Sequence, residues 1–501
     1  MQPRLLARHV GNLLAIVGLA MLIPALYALL AGEDAAWWAF VASSALAVAA
    51  GAALRFRTPA EELHIRTAVG VVTLGWAAAA AVSALPFALS GATPHWADAL
   101  FEAFAGVTAT GATVITGLEA QPRAVLLWRS LLQWFGGMGI VVLFVSVFPR
   151  IGMGAIQLFR AEVPGRQPEK ILPRLSETAK LLWGPYGGLT AAAAALLLLA
   201  GLEPFDAVNH ALTAVSTGGF STRSAGVAAL NNPAAEVVLT LFMFLGATNF
   251  MLQYRLFRHD DWRAARRDAE FRLYAALALG GGLLIAMALW AGPGGGAPDG
   301  AGGAAAARTP PGEALRRGLF HSVSMLSTTG FAAADYTLWP GLAQAVLFLL
   351  MFSGGSAGST AGGPKVVRVL LAAKHGWGEI QRVLHPRSVR MARMGDAPVP
   401  APVFSAVAAF LFLYMLTWFV SIVALAALGV PFPDAAGAAI SALGNIGPGF
   451  GAIGPAHTFA PFSSAAKVYL SLLMLVGRLE VLSVFVLFRP DFWDRRRHRR
   501  A

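Results

Sequence analysis

Apolar runs of about 20 residues, the length a helix needs to cross a bilayer, recur along the chain between shorter polar segments. Ten read as candidate spans: 10–30, 36–54, 67–90, 124–148, 180–201, 234–256, 272–291, 340–371, 403–429 and 464–488. Phe, Leu, Ile, Val and Ala occur on all sides of these runs, which predicts lipid-embedded helices and not amphipathic ones with one wet face. The first run follows Arg4 and Arg8, as in a secretory signal. It is nevertheless long enough to span, from Val10 to Leu30, and lacks a convincing cleavage site, so a retained helix is expected. The run 340–371 is interrupted by SGGSAGSTAGGPK, residues 353–365, too glycine-rich to stay helical in mid-membrane.

Composition narrows the class. Of 501 residues, 57% are hydrophobic and 13% charged. A soluble domain carries roughly 25% charged residues, so the polar surface is too small for a water-soluble protein. The absence of cysteine excludes disulfides, cysteine nucleophiles and thiolate metal sites. The net charge of +12 sits between spans. Arg150, Arg160, Arg166, Lys170 and Arg174 form one cluster, and Arg255, Arg258, Arg263, Arg266 and Arg267 a second. Lys365, Arg368, Lys374, Arg382, Arg387, Arg390 and Arg393 form a third, and Arg495, Arg496, Arg497, Arg499 and Arg500 the tail. They alternate with segments poor in Lys and Arg, such as 430–462, so the positive-inside rule puts both termini and all four clusters in the cytoplasm. The tail reads as a topology signal, and no nucleic-acid partner is expected. Residues 291–312 read as a loose extracellular loop, and 375–400 as a cytoplasmic linker able to touch a partner.

Four segments between spans share a pattern. DALFEAFAGVTATGATV starts at Asp98, DAVNHALTAVSTGGFST at Asp206 and DAAGAAISALGNIGPGF at Asp434; each Asp stands thirteen residues before a glycine, Gly111, Gly219 or Gly447. RGLFHSVSMLSTTGFAA aligns on Gly330 with Arg317 in place of Asp. A repeated unit of this kind governs the architecture. Asp suits a helix N-cap, and the next twelve residues allow a helix of about 18 Å, too short for a hydrocarbon core of about 30 Å. The helix must therefore enter and stop, and the chain must return as irregular backbone, which is tolerated at that depth only inside protein or along a wet cavity. Four such returns can form a ring of carbonyls that replaces a cation's water shell, with the partially negative helix ends aimed at it. The three aspartates are expected to be structural.

TATGATVITG, STGGFST, STTGF and GNIGPGFG, in that order, resemble the filter segments of TrkH-type potassium transport subunits, in the superfamily that also holds the TrkG, KtrB and HKT types. The resemblance covers nearly the whole chain. It implies an all-α integral membrane protein with four pseudo-symmetric helix–pore loop–helix repeats around one pore, preceded by two extra transmembrane helices. The expected units are 1–60 for those two helices, 61–160, 161–262 and 263–395 for the first three repeats, and 396–501 for the fourth with its basic tail. The selectivity filter would be Thr110, Gly111 and Ala112; Gly218, Gly219 and Phe220; Thr329, Gly330 and Phe331; and Ile446, Gly447 and Pro448. Thr108, Ser216, Thr217, Ser327, Thr328 and Asn445 would support it. K+ would bind the backbone carbonyls around Gly111, Gly219, Gly330 and Gly447. In this superfamily the filter glycines go with potassium and a serine in the first repeat with sodium, so four glycines imply potassium. A side chain at these places would also intrude on the ring.

By the same resemblance, residues 353–363, with Gly354, Gly355, Gly358, Gly362 and Gly363, form an intramembrane gate under the filter. Arg478 in VGRLEVLSV falls near the middle of the last span, where a charge costs about 2.5–3.5 kcal/mol. Glu480, two residues on, faces elsewhere on a helix, so Arg478 is expected to face pore water, and the resemblance puts it just below the filter as part of the gate. A homodimer in the inner membrane, with a TrkA-like cytoplasmic nucleotide-binding subunit, is likewise implied. His210 and His321 stand nine residues before their glycines without a fixed set of co-ligands, which suggests packing or hydrogen bonding, not metal. Asn445 is expected to hydrogen-bond the filter backbone. Pro364 after Gly363 is incompatible with a phosphate-binding loop, and no enzyme motif is found. A sodium or mixed monovalent cation channel is the nearest alternative, and a membrane-embedded enzyme a remote one.

Overall fold

The computed structural model describes residues 2–55, 65–146, 175–259, 261–292, 309–386, 393–394 and 397–493. Among them, seven helices are long and apolar enough to cross a membrane: Pro3–Ala31, Asp34–Ala53, Thr67–Leu89, Arg123–Val141, Leu182–Leu199, Ala269–Ala291 and Ala401–Ala427. Much of their apolar surface faces outward, as with Leu30 (80% exposed) and Leu199 (82%). Outward leucines of this kind suit a lipid solvent. The fold is mostly helical; the strands among the described residues form one short hairpin, Arg393–Met394 against Ala397–Pro398.

Two expected spans are sharply bent. Pro233–Gly246 and Phe250–Phe257 meet at 105°, and Ser464–Arg478 and Val481–Phe488 at 112°. At the first bend the Asn249 carboxamide accepts from the amides of Met251 and Leu252, capping a new helix where a continuous span was expected. At the second, Glu480 takes φ 63° and its carbonyl accepts from the Ser483 amide. The expected span 340–371 is a helix, Gly341–Leu350, an irregular buried stretch, and a second helix, Val366–Leu384. That helix runs well into the segment expected to be a linker.

The N-terminal helices pack closely, with a methyl on Gly11 falling 2.7 Å from the Gly51 carbonyl oxygen. Met21, Phe40, Phe87, Ala103 and Trp128 share one core that joins them to the first repeat. A larger core binds the rest together, from Trp76 to Val484.

Between the long helices lie four short ones: Trp96–Val107, Pro204–Val215, Pro311–Leu326 and Phe432–Gly444. At 12 to 16 residues they measure about 18–24 Å, too short to cross. The expected aspartate caps are not observed. His95, Glu203 and Pro431 hold the cap positions without a side-chain bond, and Asp98, Asp206 and Asp434 sit inside the first turn. In the second and fourth helices a first-turn proline, preorganised for that position, starts the helix upstream. The carboxylates still complement the helix dipole and act as ties. Asp206 accepts from the Thr222 hydroxyl and Arg223, Asp434 from the Ala452 amide, and Asp98 pairs with buried Lys467 at 2.6 Å. The third helix starts earlier, so Arg317 lies within it and pairs with Glu313 at 2.6 Å.

The first basic cluster, Arg150 to Arg174, the tail arginines 495–500, Arg387 and Arg390, and most of the 291–312 loop lie outside the described residues.

Candidate functional site

The four short helices end alike. Two residues before each glycine the backbone turns left-handed, at Ala109 (φ 51°), Thr217 (51°), Thr328 (58°) and Asn445 (54°). The next amide reaches back five residues: Thr110 to Ala105 (2.8 Å), Gly218 to Thr213 (2.8 Å), Thr329 to Ser324 (3.0 Å) and Ile446 to Ser441 (2.9 Å). This Schellman turn usually takes glycine at its left-handed position, and a residue with a side chain there costs roughly 1–2 kcal/mol. None of the four is glycine.

The aligned glycines are left-handed too, with φ of 79°, 77°, 75° and 104°. A methyl on Gly111 would fall 2.2 Å from Gly218 O, on Gly219 1.7 Å from Thr329 O, on Gly330 1.8 Å from Ile446 O, and on Gly447 2.6 Å from Thr110 O. Each glycine therefore abuts the residue just before the next segment's glycine, and the fourth segment abuts the first. The backbone closes a ring in chain order, with no room for a Cβ at any of the four contacts. Gly111, Gly219, Gly330 and Gly447, and with them Ala112, Phe220, Phe331 and Pro448, line one cavity of about 390 Å³. Ser224, which also lines it, donates to Glu119 from its amide at 2.7 Å and from its hydroxyl at 2.5 Å. Burial alone would raise the Glu119 carboxyl; the bonds from Ser224, a bond from its own backbone and the nearby Arg223 charge together hold it below its ordinary value.

Side chains brace the ring from behind. Thr108 pairs with Thr110 and Ser327 with Thr329, hydroxyl to hydroxyl, at 2.7 Å. The Gln133 amide donates to Gly218 O at 2.6 Å and accepts from the Phe220 amide at 3.0 Å. Ser324 and Ser441 donate to Phe331 O and Gly447 O at 2.7 and 2.5 Å. Ser216 turns back to its own helix carbonyl at Thr213. Asn445 donates to the Thr110 hydroxyl at 3.0 Å and to Met474 O at 2.9 Å, so within the ring it bonds a side chain and not the expected backbone. His210 and His321 each bond the carbonyl four residues back, at Asp206 and Arg317, and reach across to Ser221 Oγ and the Ala333 amide. Among the described residues no group of three or more acids or histidines could hold a metal.

Beneath the ring lies the glycine-rich stretch 353–363. The Thr360 hydroxyl donates to Val215 O (3.0 Å), at the end of the second short helix, and to Gly246 O (2.9 Å), and accepts from Thr217 (3.2 Å). The Gly362 amide donates to the Thr328 hydroxyl at 2.7 Å. The bend at 246–250 frees helix carbonyls and amides that need partners, and the stretch supplies them. Thr360 N–H takes Gly246 O, Ser356 N–H takes Ala247 O, and Phe250 N–H takes Gly358 O. Buried Glu270 accepts the Ala357 amide at 2.6 Å, and Lys365 donates to Ala361 O. Gly354, Gly355 and Gly362 each meet a carbonyl oxygen or a neighbouring side chain within 3 Å of where a methyl would be, whereas Gly358 and Gly363 have more room.

Arg478 is the last residue of its helix and 3% exposed. It does not face open water as expected. Its guanidinium donates to Thr360 O at 2.7 Å and Gly136 O at 3.2 Å, tying the stretch 353–363 to the first repeat. Buried carbonyls meet two of its donors in place of an acid, and Nε has no hydrogen-bond partner among the described residues. Glu480 pairs instead with Arg368 at 2.7 Å. Sequence reasoning included Thr360 only as part of the stretch 353–363, and missed Gln133 and the buried pair Arg129–Glu102. Polar residues inside otherwise apolar runs were the available signal.

A family model described as "Cation transport protein", TrkH, matches residues 37–495. The chain is 37% identical over 498 residues to the Trk system potassium uptake protein TrkH of Salmonella typhimurium, covering 98% of this chain and all of the relative. It is 33% identical to the Trk system potassium uptake protein TrkG of Escherichia coli, covering 98% of each. The crystal structure of the potassium transporter TrkH from Vibrio parahaemolyticus superposes with a TM-score of 0.88 at 35% identity, over 99% of this chain and all of that one. With its apolar helices, this is an integral membrane transport protein and not an enzyme. The chain belongs to the TrkH family of cation transport proteins.

Proposed function

We propose that this protein takes up potassium ions across the cytoplasmic membrane through the ring of four glycine segments. The observation that carries this reading is the ring itself: four equivalent left-handed turns, closed in chain order, with backbone oxygens packed against glycines. Backbone carbonyls so arranged can replace an ion's hydration shell. The short helices add partial negative charge at their C-terminal ends, favouring a cation over an anion. Glycine at all four positions favours potassium over sodium, in line with the printed names of the relatives.

In this reading the repeats are 61–160, 161–262, 263–395 and 396–501, with two preceding helices in 1–60. Thr110 to Ala112, Gly218 to Phe220, Thr329 to Phe331 and Ile446 to Pro448 form the filter. Residues 353–363 and Arg478 close the path beneath it, since both bond groups that end or underlie the filter turns. The third basic cluster and the arginines near 255–267 favour a cytoplasmic face there, with both termini on that side. A TrkA-like nucleotide-binding subunit would act from that side on a homodimer.

Rubidium uptake into liposomes holding the purified protein tests this, with wild type compared to Gly111→Ser and sodium offered as competitor. Rubidium uptake resistant to sodium in wild type, and reduced or opened to sodium in the variant, is the expected result. Absence of cation flux, with or without a regulatory subunit, would overturn the reading.

A further inference from the structure

Nine residues before the four ring glycines stand Glu102, His210, His321 and Ala438. In the first three segments this side chain crosses from the short helix to the chain just past the glycine. Glu102 accepts from the Thr113 hydroxyl and the Val114 amide at 3.0 Å, His210 meets Ser221 Oγ at 3.0 Å, and His321 accepts from the Ala333 amide at 3.3 Å. The fourth segment has only a methyl there, and Tyr336 of the third loop holds it by donating to Gly449 O at 2.7 Å. All four returns are pinned at the same height, two or three residues beyond the glycine, by different chemistry.

The first pin is the charged one. Glu102 is fully buried and Arg129 is 1% exposed, with Nε 2.6 Å from Oε1. Arg129 goes on to bond Ser221 O at 2.9 Å and the Thr113 hydroxyl at 3.2 Å, and its guanidinium lies 4.0 Å over the Phe220 ring. One rigid, planar fork thus joins the return of the first segment to that of the second. Removing either charge would leave its partner buried and alone, so the geometry is strongly held. We propose that Glu102 and Arg129 are positioning residues that set the spacing of the first and second filter segments and thereby the discrimination of the ring among monovalent cations. The proposal rests on the pore reading above. It follows from the way a carbonyl ring selects: the number and placement of its oxygens decide which dehydrated ion fits, so a brace that fixes them acts on selectivity while touching no ion.

The test measures rubidium and sodium uptake separately in liposomes containing the full chain, for wild type, Glu102→Gln, Glu102→Asp and Thr113→Val. Thr113→Val removes the hydroxyl shared by both charged groups and leaves the ion pair in place. The expected result is a rubidium-to-sodium uptake ratio about tenfold lower in Glu102→Gln, with a smaller loss in Thr113→Val and recovery toward wild type in Glu102→Asp. A purely structural role would lower both fluxes together and leave their ratio unchanged. An unchanged ratio in Glu102→Gln overturns the proposal, and if that variant does not reconstitute, an unchanged ratio in Thr113→Val does so. Wild type that passes neither ion would overturn the pore reading itself, a result distinct from an active wild type with insensitive variants.

Discussion

The ring segments and the stretch 353–363 beneath them are both glycine-rich, irregular and buried, yet they are held in opposite ways. Each ring turn closes on its own helix through a bond spanning five residues, such as Thr329 N–H to Ser324 O. The stretch beneath is held by partners far away in the chain: Thr360 bonds Val215, 145 residues distant, Gly362 bonds Thr328, 34 distant, and Arg478 bonds Thr360, 118 distant. A local turn forms with its helix and survives rearrangement around it. A stretch whose ties to the rest of the fold are tertiary, with only a few short-range bonds such as Ser359 N–H to Ser356 O, exists in this form only while the bent helices present their free carbonyls. At about 0.5–1.5 kcal/mol net for a typical bond, moving it costs a few bonds, with no loss of the backbone turns above. Under the proposed reading, that asymmetry suits a fixed filter over a movable gate.

The comparison can be broken or sharpened by substitution. The largest effect is expected from Gly330→Ala, whose methyl would lie 1.8 Å from Ile446 O and 2.6 Å from the Pro448 ring. Rubidium uptake should fall to background, while Gly447→Ala, with 2.6 Å to its nearest oxygen, keeps more activity. Full uptake in Gly330→Ala would mean that the ring is not the path. Next comes Arg478→Ala, which removes two bonds from a charged donor to backbone carbonyls. Basal uptake without a regulatory subunit should rise about tenfold or more, as loss of these bonds biases the stretch toward opening. A fall at normal protein yield would assign Arg478 to architecture alone. The smallest effect is expected from Thr360→Val, which loses hydroxyl bonds to Val215 O and Gly246 O but keeps its volume. A rise in basal uptake of about fivefold, with the rubidium-to-sodium ratio unchanged, would separate gate from filter. A changed ratio would show that the two regions are one unit.

The glycine register was legible because each repeat solves the same local problem with the same spacing, and the short helices were legible because twelve to sixteen residues cannot cross a bilayer. The helix starts were misplaced by three residues because an aspartate resembles a cap wherever it stands, whereas Pro204 and Pro433 select the first turn. The bend at Asn249 was hidden inside an apolar run, where hydropathy averages over the break. Arg478 was legible as exceptional, but its partners were not, since Gly136 is 342 residues away.

The sequence by itself determined the solvent, the repeat and the four places where only glycine fits, because apolar length, spacing and the left-handed backbone are properties of short stretches of chain. Tertiary structure alone decided what the buried charged groups of the pore region meet. Asp98 finds Lys467, Glu102 finds Arg129, and Arg478 finds the carbonyls of Thr360 and Gly136. These pairings join residues 27 to 369 positions apart. In a low-dielectric interior a polar group must be satisfied by whatever the fold brings to it, and local pattern carries no record of that partner.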